Sequence, residues 1–395
     1  MPEPQTKIPA VFMRGGTSNA LVFHRRDLPD DPADWDSIFL AAIGSPDPNG
    51  RQLDGMGGGI SSLSKVVVIG PPSRTDADVD YTFGQVVVDR PLVDYGANCG
   101  NMSSAVGPFA VDEGLVPVTG DSARVRIHNT NTSKIIVSEF PLEHGRAAVD
   151  GDYHLLGVAG TAARIRLSFD DPGGAVTGKL LPTGNVRDTL EVPGVGQVEA
   201  SLVDATNAGV FIGAEVVGLE GTELPDAIEA NPEILAALEA IRATAAVAMG
   251  LAENPTDATA RSPSNPKIAL VSPPRSTTTL SGDTLNPDAM DLTVRMISLG
   301  RPHRAVPLTG AMCLAVAARI EGTVAHEMMR ASQSKDVRIG HPSGIIDLAA
   351  EVHNANQGNP GWHADRVVVY RTARRLMEGS VLVPNRPPAQ AAQIA

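Results

Sequence analysis

Apolar residues in this chain come mostly in short runs, each stopped by Gly, Pro, Asn or Asp. Ile8–Met13, Ala20–Phe23, Lys65–Ile69, Phe83–Val88, Ala123–Ile127 and Ile135–Val137 set this pattern in the first part. Runs of that length with that punctuation read as strands joined by turns. The 39 Gly and 31 Pro among 395 residues likewise favour turns and short strands over a helical bundle. In this first part helical patterning is confined to Trp35–Ile43 and to Asn101–Glu113, a stretch of small residues ended by Gly114.

A break falls near Leu181-Pro182-Thr183-Gly184. Beyond it, strands are predicted at Gln197–Val203, Val210–Ile212, Ile268–Val271, Leu292–Ile297, Asp347–His353 and Arg366–Val369. A helix is predicted over Pro232–Met249, and a second one built from small residues over Gly310–Ile320. Each half thus holds many strands and one small-residue helix. Two similar α/β (α+β) units, residues 1–183 and 184–395, are the simplest architecture, with the last residues free to pack back on the first unit.

Charge excludes some partners. With 32 basic against 45 acidic residues the net charge is −13, which argues against nucleic acid and against a membrane surface. An enzyme of this composition acting on anions must gather positive groups locally. Two cysteines, Cys99 and Cys313, do not make a disulfide scaffold. Met1–Pro9 lacks a signal-peptide core, and no apolar run approaches the roughly 20 residues of a membrane helix. A cytoplasmic protein is expected. Its oligomeric state is open, a homo-oligomer included.

Familiar motifs are missing. Gly55-Met56-Gly57-Gly58-Gly59 has neither a Gly-Lys-Ser/Thr ending nor dinucleotide spacing. There is no G-x-S-x-G elbow and no H-E-x-x-H pair. What remains is Asp94-Tyr95-Gly96-Ala97-Asn98-Cys99-Gly100-Asn101-Met102, a cysteine among turn formers just before a helix. A thiol at a helix start is a usable proton donor or acceptor near neutral pH, and the free N–H groups of Gly100, Asn101 and Met102 can hold a carboxylate. A buried structural cysteine is the competing reading. Lys65 opens an apolar strand after a Gly- and Ser-rich loop ending in Ser64. Held near the core, it would be an amine base; an exposed strand-end lysine is the plainer alternative. Arg14-Gly15-Gly16-Thr17-Ser18-Asn19 could clamp a carboxylate through Arg14, the hydroxyls and the backbone, or be an ordinary hairpin turn. Thr309-Gly310-Ala311-Met312 opens the second small-residue helix, and Ser343-Gly344 sits in a tight loop. Cys313 reads as core packing, and Arg295, His303 and Arg304 as structural or surface residues.

Together these segments resemble the PrpF family of the diaminopimelate-epimerase superfamily. The resemblance is carried by Arg14-Gly15-Gly16-Thr17-Ser18, Asp54-Gly55-Met56-Gly57-Gly58 with Ser64-Lys65, Asn98-Cys99-Gly100-Asn101, Thr309-Gly310-Ala311, Gly340-His341-Pro342-Ser343-Gly344 and Arg371-Thr372-Ala373-Arg374-Arg375-Leu376-Met377, in order along nearly the whole chain. It implies two similar domains, each a curled mixed sheet wrapped around a central helix, with the site in the cleft between them. It implies no metal and no organic cofactor. Members include isomerases of 2-methylaconitate, methylitaconate and trans-aconitate and a 4-oxalomesaconate tautomerase. The expected reaction is a cis–trans or allylic proton shift in a small unsaturated di- or tricarboxylate, with Lys65 and Cys99 as acid and base in either order. Two departures stand out. Asn19 replaces a lysine frequent in the family, and Val306-Pro307-Leu308-Thr309-Gly310 lacks the second cysteine of the superfamily's amino-acid epimerases. An amino- or hydroxy-acid epimerase and a non-catalytic polycarboxylate-binding protein remain as alternatives.

Overall fold

A computed structural model describes residues 4–96, 98–331, 336–355 and 361–385. The chain forms two compact units, residues 1–167 with 370–395, and residues 168–369. The division thus lies ahead of residue 183. Val176 N, Thr177 N and the Thr177 hydroxyl all bond the Asp204 carboxylate, which ties this segment to the second unit. The Ala373–Pro384 strand belongs to the first unit, where it pairs along the whole length of β1, Gln5–Gly15. The residues after 385 lie outside the described ones.

The first unit continues with β2 (Ser18–His24), α1 (Trp35–Ile43), β3 (Lys65–Gly70), β4 (Val79–Val86), β5 (Val93–Asp94), α2 (Gly100–Asp112), β6 (Ser122–Asn129) and β7 (Lys134–Glu143). Pairing alternates: β1–β2 antiparallel, β2–β3 parallel, β3–β4 antiparallel, β4–β6 parallel, β6–β7 antiparallel. Side chains alternate between the two faces of a strand. Leu21, Phe23, Val66 and Val68 therefore share one face, which packs on Trp35, Phe39 and Ile43 of α1. The opposite face belongs to α2, whose Phe109 ring lies 4.9 Å from that of His24.

The α2 helix is buried along almost its whole length, so its small residues are a packing requirement. A Cβ on Gly107 would stand 2.7 Å from the Ser138 hydroxyl, and one on Gly15 of β1 would stand 2.8 Å from the Asn101 carbonyl. At both places sheet and helix approach so closely that only glycine fits.

The second unit repeats this plan. Strand Gly196–Ala205 pairs antiparallel with Asn207–Gly213, and that parallel with Lys267–Ser272. Then follow Leu292–Ser298 (antiparallel), Asp336–His341 (parallel) and Gly344–Asn354 (antiparallel). An outer helix, Pro232–Ala248, covers one face through Leu238, Ile241 and Ala245. A buried small-residue helix, Leu308–Arg319, packs on the strands' other side, where the Cys313 thiol donates to the Val203 carbonyl at 3.3 Å.

One detail shows the repeat at atomic level. Ahead of β4, the Asp78 carboxylate takes Arg126 N, Nε and Nη2 at 2.7, 3.3 and 2.7 Å. Ahead of Leu292–Ser298, the Asp291 carboxylate takes Arg338 N, Nε and Nη2 at 2.8, 3.3 and 2.7 Å. Each pair locks the start of a parallel ladder. Burial pushes the Asp291 carboxyl up, but the Arg338 hydrogen bonds outweigh it and hold it below the ordinary carboxylate range.

A carboxyl held low when folded contributes stability above its unfolded pKa, and that contribution fades as pH falls through its folded value. Asp291→Asn should therefore lower unfolding free energy by about 2–4 kcal/mol at pH 7. The difference from wild type should shrink below about pH 4. Urea unfolding at a series of pH values checks this.

Candidate active site

Lys65 is the first residue of β3 and is 8% exposed. Its Nζ donates to Gln85 Oε1 at 2.5 Å and lies 5.0 Å from the centre of the Phe83 ring. Gln85 stands directly opposite Lys65 in the register. Its own Nε2 donates to the Ser61, Ser64 and Val86 carbonyls, which leaves Oε1 aimed at the amine. Among the described residues no carboxylate pairs with Lys65. The amine is thus held by a neutral acceptor and an aromatic face.

Cys99 is the N-cap residue of α2 and is half-buried. Its carbonyl accepts from Ser103 N and Oγ and, at 3.3 Å, from the Tyr81 hydroxyl. Tyr81 is fully buried. Burial, with the Cys99 sulfur as a second cause, raises its phenol well above the usual range, so it stays a donor. Tyr81, Phe83 and Gln85 alternate along β4 and share a face with Ile69, Val67 and Lys65 opposite them. Both groups therefore lie on the α2 side of one sheet, Cys99 over Tyr81 and the Lys65 amine over Phe83.

Other predicted residues join this face in part. Asn101 Nδ2 donates to Thr17 Oγ1 at 3.1 Å, and Ser18 pairs with Gly15 against the α2 start. Gly100 is the buried first residue of the helix. Met102 is fully buried, so only its backbone can meet a ligand. The close approach of Gly15 is to Asn101 rather than to open space. Ser64 is fully buried and donates to Gln52 Oε1 and the Ile60 carbonyl. Its hydroxyl fastens its own loop and is not offered to a ligand.

Arg14 and Asn19 are not on this face. They oppose each other one residue from the Gly15–Ser18 pair, hence on the other side of the hairpin. Arg14 Nη1 donates to the Gly16 carbonyl and to the Thr372 carbonyl and hydroxyl.

In the second unit Thr309, Gly310, Ala311 and Met312 form the first turns of the Leu308–Arg319 helix, all buried. Asn207 Nδ2 donates weakly to Thr309 Oγ1 at 3.4 Å, and its Oδ1 is buried without a partner among the described residues. Ser343 Oγ donates to the Arg304 carbonyl at 2.6 Å, and Gly344 has φ 136° in the same tight turn. Arg295 is buried and bonded to the Glu223 and Val294 carbonyls and the Thr277 hydroxyl, with burial lowering it to about 10. Burial raises the Cys313 thiol far above its usual range.

Several residues escape sequence reasoning. Gln85 carries no motif. Asn131 looks like a glycosylation acceptor, yet its amide clamps Phe83 N and O and the Tyr95 carbonyl, fixing the segment that leads to Cys99. Arg371 is buried beside the helix start, with Nε on Asn101 Oδ1 at 3.3 Å, and burial lowers it to about 10. Only its place in the Arg371–Met377 segment hinted at a role.

A model of the family described as PrpF protein matches residues 5–384. The chain belongs to the PrpF family. It is 42% identical to a 3-methylitaconate isomerase of Eubacterium barkeri, over 96% of this chain and 98% of that one. It is 41% identical to a 2-methyl-aconitate isomerase of Shewanella oneidensis, again over 96% and 98%. The crystal structure of a methylitaconate-delta-isomerase superposes with a TM-score of 0.82 at 42% identity, covering 97% of both chains. A probable proline racemase from Agrobacterium radiobacter K84 shares the mixed α/β fold, at TM-score 0.53 and 13% identity, over 97% of this chain and 94% of that one.

Gln85→Leu keeps the volume and removes the acceptor that aims the amine. It should lower kcat by about tenfold or more, because a misaimed acid–base group loses most of its advantage, and should also lower the unfolding midpoint, because the amine and the carbonyls held by Gln85 lose their partner. Steady-state kinetics beside thermal melts check this.

Proposed function

We propose that this protein isomerises a small unsaturated di- or tricarboxylate by moving one proton along an allylic unit, with Lys65 and Cys99 as the acid–base pair. The observation that carries this is a buried amine with no carboxylate partner among the described residues, on the same sheet face as a thiol at a helix start. A duplicated mixed sheet on a central helix is the framework of the diaminopimelate-epimerase kind.

A C–H next to a double bond conjugated with a carboxylate gives up its proton to form a dienolate. The substrate is already anionic, so the added charge must be met by fixed dipoles and cations. Around Cys99 these are the free N–H groups of the α2 start, the Lys65 ammonium when protonated, and the Arg371 guanidinium behind Asn101. One group of the pair, in its deprotonated form, takes the proton. The other returns one to the far end of the allyl unit, which shifts the double bond. If the dienolate rotates first and the proton returns to its original carbon, the product is the cis–trans isomer. The Thr309–Met312 helix start, taken within its own unit, offers a carboxylate the same kind of dipole.

A two-thiol epimerase is disfavoured by specific observations. Pro307 caps the Leu308–Arg319 helix, and Cys313 spends its thiol on a backbone carbonyl in the core. Two free cysteines fit a reducing, cytoplasmic setting.

Lys65→Ala and Cys99→Ala should each lower kcat by roughly a hundredfold or more, while Cys313→Ala keeps most activity. Proton NMR of methylitaconate, methylaconitate and aconitate isomers in deuterated buffer checks both substrate and site: wild type should shift a double bond and take up deuterium. Near-normal rates in Cys99→Ala would refute the assignment.

A further inference from the structure

We infer that the first unit carries a second oxyanion site, apart from the Lys65–Cys99 face, in a cavity between Arg14 and Arg374. The cavity holds about 360 Å³, the size range of small-ligand sites. Its wall includes Arg14, Arg374, Thr372, Tyr153, Thr161 and Asp150. Arg14 and Arg374 are directly opposed across the pair formed by β1 and Ala373–Pro384. Like charges in that position repel, and among the described residues neither has a carboxylate within ion-pair distance, Asp150 included.

The cost shows on Arg14. Burial first, and then the charge of Arg374, lowers its guanidinium from its ordinary value. Arg14 Nη1 is fixed by Gly16 and Thr372. Its Nε and Nη2 have no partner among the described residues, which leaves donors of a fixed fork for an incoming anion. An oxyanion between the two guanidiniums would turn their repulsion into attraction. The ligand chemistry is therefore a small anion with at least two adjacent oxygens, either inorganic phosphate or the carboxylate end of a di- or tricarboxylate. Net charge elsewhere is strongly negative, so the pair is a local exception to the field of the chain. The cavity backs onto the turn of the β1–β2 hairpin. Gly16 N donates to the Thr372 carbonyl, and the next residue, Thr17, meets Asn101.

The test is calorimetric titration of inorganic phosphate and of tricarballylate, a saturated tricarboxylate with no double bond to shift, into wild type, Arg374→Gln, Arg14→Gln and Cys99→Ser. Arg374 is exposed, so its replacement should not disturb folding. At least one of the two anions should lose affinity by about tenfold or more in Arg374→Gln and keep it in Cys99→Ser. Arg14→Gln should behave like Arg374→Gln. Which anion responds identifies the source. Unchanged affinity in Arg374→Gln, loss in Cys99→Ser instead, or no heat from either anion at about 10 mM would overturn the site. None of these outcomes depends on isomerase activity.

Discussion

A buried amine with no counter-carboxylate among the described residues is the constraint on which the account turns. Placing a charge at low exposure is costly unless something compensates it. Lys65 has a neutral amide oxygen and an aromatic ring. Those contacts orient the amine without neutralising it, and in the proposed reaction a bound polycarboxylate would supply the opposing charge. Gln85 can do this because its own amide is tied to three carbonyls. A glutamate at that place would close the ion pair and remove the reason for an anion to enter.

The sheet that carries Lys65 also dictates the helix that carries Cys99. Burial of α2 on all sides demands small side chains; Gly15 lets the β1 backbone reach that of α2, and Gly107 makes room for the Ser138 and Phe140 side chains. A helix packed so closely has its N-terminal N–H groups fixed in space, which is what a preorganised anion site needs. The same strand order, the same outer and inner helices and the same aspartate–arginine lock recur in the second unit. That repetition makes the two small-residue helices structural counterparts, although only the first begins with a thiol.

Much of the fold was legible because it rests on local pattern. The Trp35–Ile43 helix has the predicted ends, α2 is displaced by one residue, and the apolar runs from Ile8 to Val137 fall on strands. The fourth of those runs is displaced, since β4 spans Val79–Val86 and not Phe83–Val88. The Ala373–Pro384 strand had no readable period: it exposes Leu376, Met377 and Leu382 and carries charges between them. Lys65 and Cys99 could be singled out as chemical types at turn-to-element junctions. Gln85, Asn131 and Arg371 could not, because each acts through a partner far along the chain that only the register brings near. Arg14 was legible as a candidate carboxylate clamp, but which side of the hairpin it lies on was not. That depends on a period of two, where one residue's shift exchanges the faces.

The central claim is that the Lys65 amine and the Cys99 thiol face one anion. It is tested most directly by the rate of Cys99 alkylation with iodoacetamide, read by peptide mass spectrometry with and without tricarballylate, in wild type and Lys65→Met. The account predicts that the tricarboxylate slows alkylation of Cys99 in wild type and does so far less in Lys65→Met. Equal protection in both proteins, or none in wild type, would contradict it.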